Sequence, residues 1–222
     1  MFDFNSSMLH VIQEIRLLVP VLAHVDPKHL QIGASTTRTS RRAGLLAYVV
    51  PLKFRYGSPV ERRVRGRRVF HWAMLPQYRD GWEQLYNIYF LLPRFLNLSF
   101  QEKLETIVHE LYHINPQFDG SLRTFKGRSR LHGNHKEYDE CVRGMTRRFL
   151  DSNPSLEGFD FLHLNHGHLV RKHSDVFAYH PVEPRPKLLC VEPLRPITES
   201  KSAEIGPDSS RAPEDHAHSV RD

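Results

Sequence analysis

Two histidines and a glutamate stand close together in the segment His109-Glu110-Leu111-Tyr112-His113. In a helix, residues four apart lie on one face with their Cβ atoms about 5–6 Å apart. That spacing lets both imidazoles bind one Zn²⁺, and the glutamate beside the first histidine can act as a general base on a metal-bound water. The HExxH pattern therefore predicts a zinc site with His109 and His113 as ligands and Glu110 as the catalytic residue.

The flanking residues predict the helix that this site needs. Ser99 and Glu102 form an S-x-x-E pattern, which is typical of a capping box at a helix N-terminus. Pro116 cannot continue a helix, so the helix should end just after His113. The apolar residues between these limits recur at helical spacing, and they are Leu104, Ile107, Val108, Leu111 and Ile114.

A catalytic zinc usually has three protein ligands and one open position, so a third ligand is required. His132 precedes a glycine just before the next predicted helix. Asp119 stands where a longer H-E-x-x-H-x-x-G-x-x-H/D motif has its third ligand, although Pro116 replaces the glycine of that motif. From the residues alone the candidates are His132, Asp119, His135, and Glu137 or Glu140.

The HExxH segment, followed by Arg130-Leu131-His132-Gly133-Asn134-His135, resembles the HExxH…HGxxF arrangement of SprT-like zinc metallopeptidases. Residues 105–120 resemble more closely the related metallopeptidase domains of phages and prophages. The resemblance implies His109, His113 and His132 as zinc ligands, with Glu110 as the base. The chain departs from the SprT pattern at His135, which replaces the aromatic residue, and it has no cysteine zinc ribbon.

The resemblance, which is strongest over residues 86–150, also implies a fold and a reaction. The fold is an α+β, zincin-like minimal domain in which a small mixed sheet packs on the HExxH helix and a second helix. The implied activity is that of an endopeptidase, in which zinc lowers the pKa of its water to about 7 and Glu110 takes the proton as the water attacks a peptide carbonyl. By analogy with zincins, the strand at 86–92 is expected to be an edge that lines the substrate cleft.

Supporting roles can be assigned to other polar residues near the motif. Tyr138 or His135 is a candidate donor to the oxyanion that forms during hydrolysis. Asp119 and Asp139 are candidate acceptors for the second N–H of a ligand imidazole.

Local patterns predict the remaining elements. Helices are expected at 3–18 and about 134–150, and strands at 29–36, 44–55, 69–74 and 86–92, with edge strands at 171–179 and 187–191. Residues 56–68 are expected to form an irregular, arginine-rich connection. Cys141 lies on the apolar face of the second predicted helix and Cys190 lies between apolar residues, so both are expected to pack in the core.

Composition indicates one main domain, residues 1–195, with an appendage. The chain has 222 residues, 40% of them hydrophobic, and its only cysteines form no C-x-x-C pair, which argues against a zinc ribbon or a disulfide framework. Residues 196–222 are acidic and poor in large apolar side chains, as in disordered segments. No membrane span or secretory leader is recognisable, so we expect a cytoplasmic protein of a bacterial or phage-infected cell.

A strongly basic segment, residues 38–68, gives an alternative interpretation. Its single acid is Glu61, and such charge is typical of a phosphate-binding surface. The alternative function is therefore a basic nucleic-acid-binding protein whose metal site is structural or vestigial. The bases are Arg38, Arg41, Arg42, Lys53, Arg55, Arg62, Arg63, Arg65, Arg67 and Arg68.

Overall fold

The structure, a computed structural model, describes residues 1–37, 44–125, 134–174 and 176–194. The acidic segment 196–222 and the candidate ligand His132 lie outside these residues. The fold is α+β, as predicted. Its elements are β1 Phe2–Asp3, α1 Phe4–Leu18, β2 Leu30–Thr36, β3 Ala47–Pro51, β4 Val60–Arg65, β5 Arg68–Ala73, β6 Gln77–Arg79, β7 Trp82–Gln84, β8 Tyr86–Leu92, α2 Phe100–Tyr112, α3 His135–Asp151, α4 His166–His173, β9 Val176–Phe177 and β10 Lys187–Pro193.

A three-stranded mixed sheet with the order β2-β8-β3 lies at the centre of the fold. β2 pairs with β8 in parallel and β3 pairs with β8 in antiparallel register. Every residue of β8 except Leu91 is buried, which is typical of a strand covered on both faces. The prediction that residues 86–92 form an edge strand is therefore wrong, because β8 has a neighbour on each side.

Apolar faces of the helices and the central sheet build the core. The Phe4 ring of α1 contacts the Phe90 ring of β8 edge-on, with centroids 5.9 Å apart, and the Phe95 ring at 6.3 Å. α2 buries its predicted apolar stripe and packs against both β3 and α3. None of the helices in the described ranges has the length and apolar character that crossing a membrane requires.

A second sheet, with the order β10-β5-β4, contains the arginine-rich segment. β4 and β5 form a hairpin whose two-residue loop is Gly66-Arg67, and the positive φ of Gly66, 58°, explains the glycine there. The prediction of an irregular connection at 56–68 is wrong over β4. Its sequence lacks apolar alternation because the strand is exposed, so pairing with β5 rather than burial defines it.

Three further predictions are also corrected. In the segment 171–179, predicted as an edge strand, residues 171–173 form the end of α4, which is capped at Asn165 and buries Leu169. Among the described residues of that segment, the strand is limited to Val176–Phe177. Cys141 and Cys190 are exposed rather than buried. Cys141 misses the core because the buried face of α3 is a narrow stripe that contains its neighbour Val142.

Candidate metal centre

The capping pattern at Ser99 sets the start of α2, as predicted. The Ser99 Oγ accepts a hydrogen bond from the Glu102 backbone N–H at 3.3 Å, and the Glu102 carboxylate accepts one from the Ser99 backbone N–H at 2.8 Å. The helix ends at Tyr112, and His113 is its C-terminal cap. Both histidines of the motif therefore lie in the last turn of a helix that is fixed at its start.

His109 and His113 place their imidazoles side by side. Their Nε2 atoms are 3.1 Å apart and their ring centroids 4.8 Å apart. Two nitrogens that bind one tetrahedral zinc lie about 3.3 Å apart, given Zn–N bonds of about 2.0–2.1 Å. His113 is buried and His109 is half-buried. The pair therefore has the spacing that two ligands of one metal ion need.

Glu110 lies between the two histidines in sequence and is buried, with 6% of its surface exposed. Burial raises the pKa of its carboxyl to about 8, and a hydrogen bond from the backbone of Val49 acts in the opposite direction. A general base is most effective when its pKa lies near the working pH. The carboxyl group of Glu110 is thus suited to accept and return a proton near neutral pH.

Tyr138 of α3 supports the histidine pair. Its O–H donates a hydrogen bond to the backbone carbonyl of His109 at 3.0 Å, and its ring centroid lies 4.9 Å from that of His109 and 5.2 Å from that of His113. Burial, followed by the charge of Glu110, raises the pKa of Tyr138, so the phenol remains a neutral donor. Because its proton is engaged with His109, the geometry does not favour Tyr138 as the oxyanion donor.

The candidate third ligands lie apart from the histidine pair or outside the described residues. Asp119 accepts hydrogen bonds from the Ser121 backbone N–H at 2.9 Å and the Ser121 hydroxyl at 2.8 Å, so it organises the turn after α2. His135 is the exposed first residue of α3. Within the described ranges, the one group of three clustered metal-binding side chains does not include His109 and His113. The geometry therefore favours neither Asp119 nor His135, and His132 stays a prediction.

Glu137 and Glu140, the remaining candidates, are exposed on α3. Glu137 accepts a hydrogen bond from the side-chain amide of Asn134, the capping residue of α3, at 2.9 Å. Its carboxylate thus supports the start of α3.

A cleft of about 440 Å³ opens beside the motif, between β3, α2 and α3. The segment Gly44 to Ala47 forms one wall, and no residue of β8 lines it. Asp139 and Arg143, one helical turn apart on α3, add one acidic and one basic side chain to the lining of the cleft. The sequence patterns did not single out Arg143 or the segment before β3, although the i, i+4 spacing of Asp139 and Arg143 was a usable signal. The residues that line the cleft include Thr106, His109, Glu110 and Arg143.

Among the described strands β3 pairs only with β8, and its other edge faces this site. The Leu91 N–H donates to the Leu46 carbonyl and the Leu52 N–H to the Leu85 carbonyl, each at 2.9 Å. Backbone groups alternate in direction along an antiparallel strand, so those of Ala47 and Val49 point away from β8. The hydrogen bond between the Val49 backbone and Glu110 agrees with this direction. A strand edge thus runs beside the predicted base.

Comparisons of the chain with protein-family models, with curated proteins and with solved structures find no match. The site is therefore interpreted from its own geometry. The imidazole of His109, the buried carboxyl of Glu110 and the strand residue Ala47 line one cleft, and the imidazole of His113 lies at metal-ligand spacing from that of His109. Such an arrangement can bind a divalent metal and transfer a proton beside an extended chain.

Proposed function

We propose that the chain is a zinc-dependent endopeptidase of the zincin-like type. The 3.1 Å separation of the His109 and His113 Nε2 atoms, beside buried Glu110, is the observation that carries the proposal. Imidazole nitrogens are ligands that zinc favours, and this pair supplies two of the three protein ligands that a catalytic zinc usually has. The resemblance to SprT-like peptidases assigns the third ligand to His132, which precedes α3.

Zinc, when bound, supplies a Lewis acid that lowers the pKa of water and polarises a peptide carbonyl. Glu110 accepts the proton of the attacking water and then donates it to the leaving amine. Glu110 can take part in both steps because burial favours its protonated form, whereas the hydrogen bond from the Val49 backbone favours its carboxylate form. Tyr138 fixes the helix backbone at His109, which keeps the two imidazoles in place.

The strand edge gives the proposal a substrate class. An extended peptide can pair with the outward N–H and C=O of Ala47 as an added strand, because β-strand addition needs only an unpaired edge. Ala47 lines the same cleft as Glu110, so the paired peptide would pass the base. Folded proteins rarely offer a free extended segment. The preferred substrates should therefore be unfolded proteins or exposed loops.

The substitution Glu110→Gln tests the mechanism. The amide keeps the size of the side chain but cannot accept the proton, so hydrolysis of an unfolded protein should fall about 10²–10⁴-fold. The zinc content, measured by mass spectrometry of the purified protein, should stay at the wild-type value. Glu14→Gln, a half-buried glutamate on α1, is the matched control and should leave the rate unchanged. Full activity of Glu110→Gln would refute the mechanism.

The ligand assignment is tested separately by zinc content. His132→Ala should lose the zinc bound with His109 and His113, whereas Asp119→Ala and His135→Ala should retain it. If His132→Ala kept that zinc with unchanged affinity, another residue would be the third ligand.

Nucleic-acid binding is a second candidate function, favoured by the β4–β5 hairpin. Arg62, Arg65, Arg67 and Arg68 are exposed there, and the one acid of the hairpin, Glu61, forms an ion pair with Arg63. Exposed guanidinium groups on a protruding ribbon can contact the phosphates of a duplex or a single strand. Of the other arginines of the basic segment, Arg55 is exposed just before the hairpin, and Arg38, Arg41 and Arg42 lie outside the described residues.

A salt titration of DNA binding tests this second function. Replacing Arg65, Arg67 and Arg68 with Gln should weaken binding, and the slope of log K against log salt should fall by about 0.9 for each phosphate that the protein no longer neutralises. Lys136→Gln, an exposed base on α3, is the control. Binding that is absent, or independent of salt, would remove the candidate.

A further inference from the structure

Three side chains that can bind metals meet on the second sheet, in strands far apart in sequence. They are His71 of β5 with Cys190 and Glu192 of β10, and their ligand atoms all lie within 4.8 Å of one another. The His71 Nε2 is 3.8 Å from a Glu192 carboxylate oxygen, and the Cys190 Sγ is 4.0 Å from the other. Ligand atoms around a tetrahedral zinc lie about 3.3–3.8 Å apart, so small side-chain movements would bring all three into range.

A β-bulge in β10 is what puts these side chains on one face. Leu188 pairs with Trp72, but Cys190 pairs with His71, so Leu189 is an extra residue in the strand. A register shift of one residue exchanges the faces of a strand. Without the bulge, Leu189 would stand opposite His71. With it, Cys190 faces His71 directly and Glu192 follows on the same face.

The His71 imidazole has an unused nitrogen that is directed into this cluster. Its Nε2 is shielded from solvent and has no hydrogen-bond partner among the described residues. The nearest carboxylate oxygen, on Glu192, is beyond hydrogen-bond distance. Shielded polar atoms in folded proteins are normally paired, because leaving one unpaired costs free energy. A metal ion bound by the lone pair of a neutral imidazole would satisfy this nitrogen.

We propose that His71, Cys190 and Glu192 form a zinc site that fastens β10 to β5. The Cys190 thiolate and the Glu192 carboxylate together neutralise the charge of Zn²⁺, and the mixed S, N and O ligands suit this metal. Binding forms the sulfur–zinc bond and releases the thiol proton to solvent. Because Cys190 and Glu192 are exposed, the fourth ligand position stays open to solvent. This site does not depend on the proposed peptidase function.

Cobalt substitution tests the site on the full chain. The protein is stripped with a chelator and titrated with Co²⁺ alone, then with Zn²⁺ as a competitor. A thiolate ligand gives a sulfur-to-cobalt charge-transfer band in the near ultraviolet. The His109–His113 site contains no sulfur, so the band reports only on the second sheet. We expect the band to saturate when one Co²⁺ is bound at this site, in addition to Co²⁺ bound at the helix site, and to disappear on addition of Zn²⁺.

Matched variants decide the outcome. Cys190→Ala should abolish the band, and Cys141→Ala, which removes the other exposed thiol, should preserve it. His71→Ala and Glu192→Gln should each weaken Co²⁺ binding by more than the roughly 10–100-fold that removal of a residue merely supporting a ligand costs. The proposal is overturned if wild type shows no band or if Cys190→Ala retains it. His113→Ala should leave the band intact, so failure of the peptidase proposal would be recognised separately.

Discussion

The two histidine-containing sites are built on different backbones. His109 and His113 lie in one turn of α2, with Glu110 buried beside them and a cleft in front. His71 and Cys190 come from opposite strands of an exposed sheet, where a bulge sets their register. A helix fixes ligand spacing through four residues of local sequence, whereas a strand pair fixes it only after the fold has formed.

This difference separates the roles that the two sites can serve. The helix site contains a carboxyl whose pKa is raised by burial, which suits proton transfer. The strand site has only the exposed carboxylate of Glu192, which lacks the burial that raises the pKa of Glu110. The buried carboxyl beside a cleft is why the proposed hydrolysis is assigned to the first site. The second site can strengthen a strand pair.

The largest effect is expected from His113→Ala. It should remove the zinc of the helix site and reduce hydrolysis below detection, because one imidazole cannot hold the ion in place. The cobalt–thiolate band of the second sheet should remain. His71→Ala should give the reverse pattern, with hydrolysis retained and the band strongly weakened at the Co²⁺ concentration that saturates wild type. Disappearance of both signals in either variant would show that the two sites are not independent.

Two substitutions of Tyr138 separate the contribution of its ring packing at the helix site from that of its hydrogen bond. Tyr138→Ala should lower the free energy of unfolding by about 3–5 kcal/mol, as truncation of a buried aromatic ring usually does. Tyr138→Phe keeps the ring and removes only the hydrogen bond to the His109 carbonyl, at a cost of about 0.5–1.5 kcal/mol. Urea unfolding of the metal-free protein measures both. Equal decreases in the two variants would contradict the packing role.

The buried Lys103 on α2 should give stability a pH dependence. Its ammonium donates to the carbonyls of Leu162 and Leu164, each at 2.7 Å, and burial lowers its pKa to about 8 from 10.5. Between these two values the unfolded chain binds more protons than the folded one. The free energy of unfolding should therefore rise with pH from 8 towards 10.5, by at most about 1.4 kcal/mol per unit.

The variant Lys103→Met isolates this contribution. It removes the titrating group, so its stability should rise less steeply than that of wild type between pH 8 and about 9.5, inside the window set by the two pKa values. Lys136→Met, an exposed lysine on α3, should behave as wild type. Parallel slopes for wild type and Lys103→Met would mean that Lys103 keeps its ordinary pKa.

A modest effect, similar to that of Tyr138→Phe, is expected from the helix cap. Ser99→Ala should cost about 1 kcal/mol of stability by removing the Oγ acceptor for the Glu102 N–H. Gln101→Ala, at an exposed position of the same turn, is the control and should change stability little. The cobalt–thiolate band should be unaffected by either. If Ser99→Ala lowered the free energy of unfolding much more than Tyr138→Phe does, the capped start of α2, rather than its contact with α3, would be the main support of the site.

Elements whose determinants are local could be predicted from the sequence. α1, α2 and α3 follow from apolar spacing and capping residues, and the structure gives α2 the capping box that Ser99 and Glu102 predict. β4 was missed because its arginines face solvent and show no apolar alternation. α4 was not predicted because Leu169 is its one buried residue, and the histidines and basic residues around it show no apolar spacing.

The features of the two sites can likewise be divided into those that local sequence predicts and those that depend on the folded structure. The His109–His113 spacing depends only on helix geometry, so the sequence alone predicts it. The role of Val49 and the approach of Cys190 to His71 depend on strand pairing across long stretches of chain. The pair Cys190 and Glu192, two residues apart in a strand, was a weak signal, and nothing local indicated that His71 would face it.

The exposed outer strand of the second sheet has a consequence for how copies of the protein meet in solution. β4 pairs only with β5 among the described strands, so its other side is an open hydrogen-bonding edge. Two such edges from different molecules would join readily if they were uncharged. The positive charges of the arginines along β4 make two such edges repel each other. This repulsion weakens as added salt shortens the Debye length. Polyanions or high salt should therefore favour self-association through this edge.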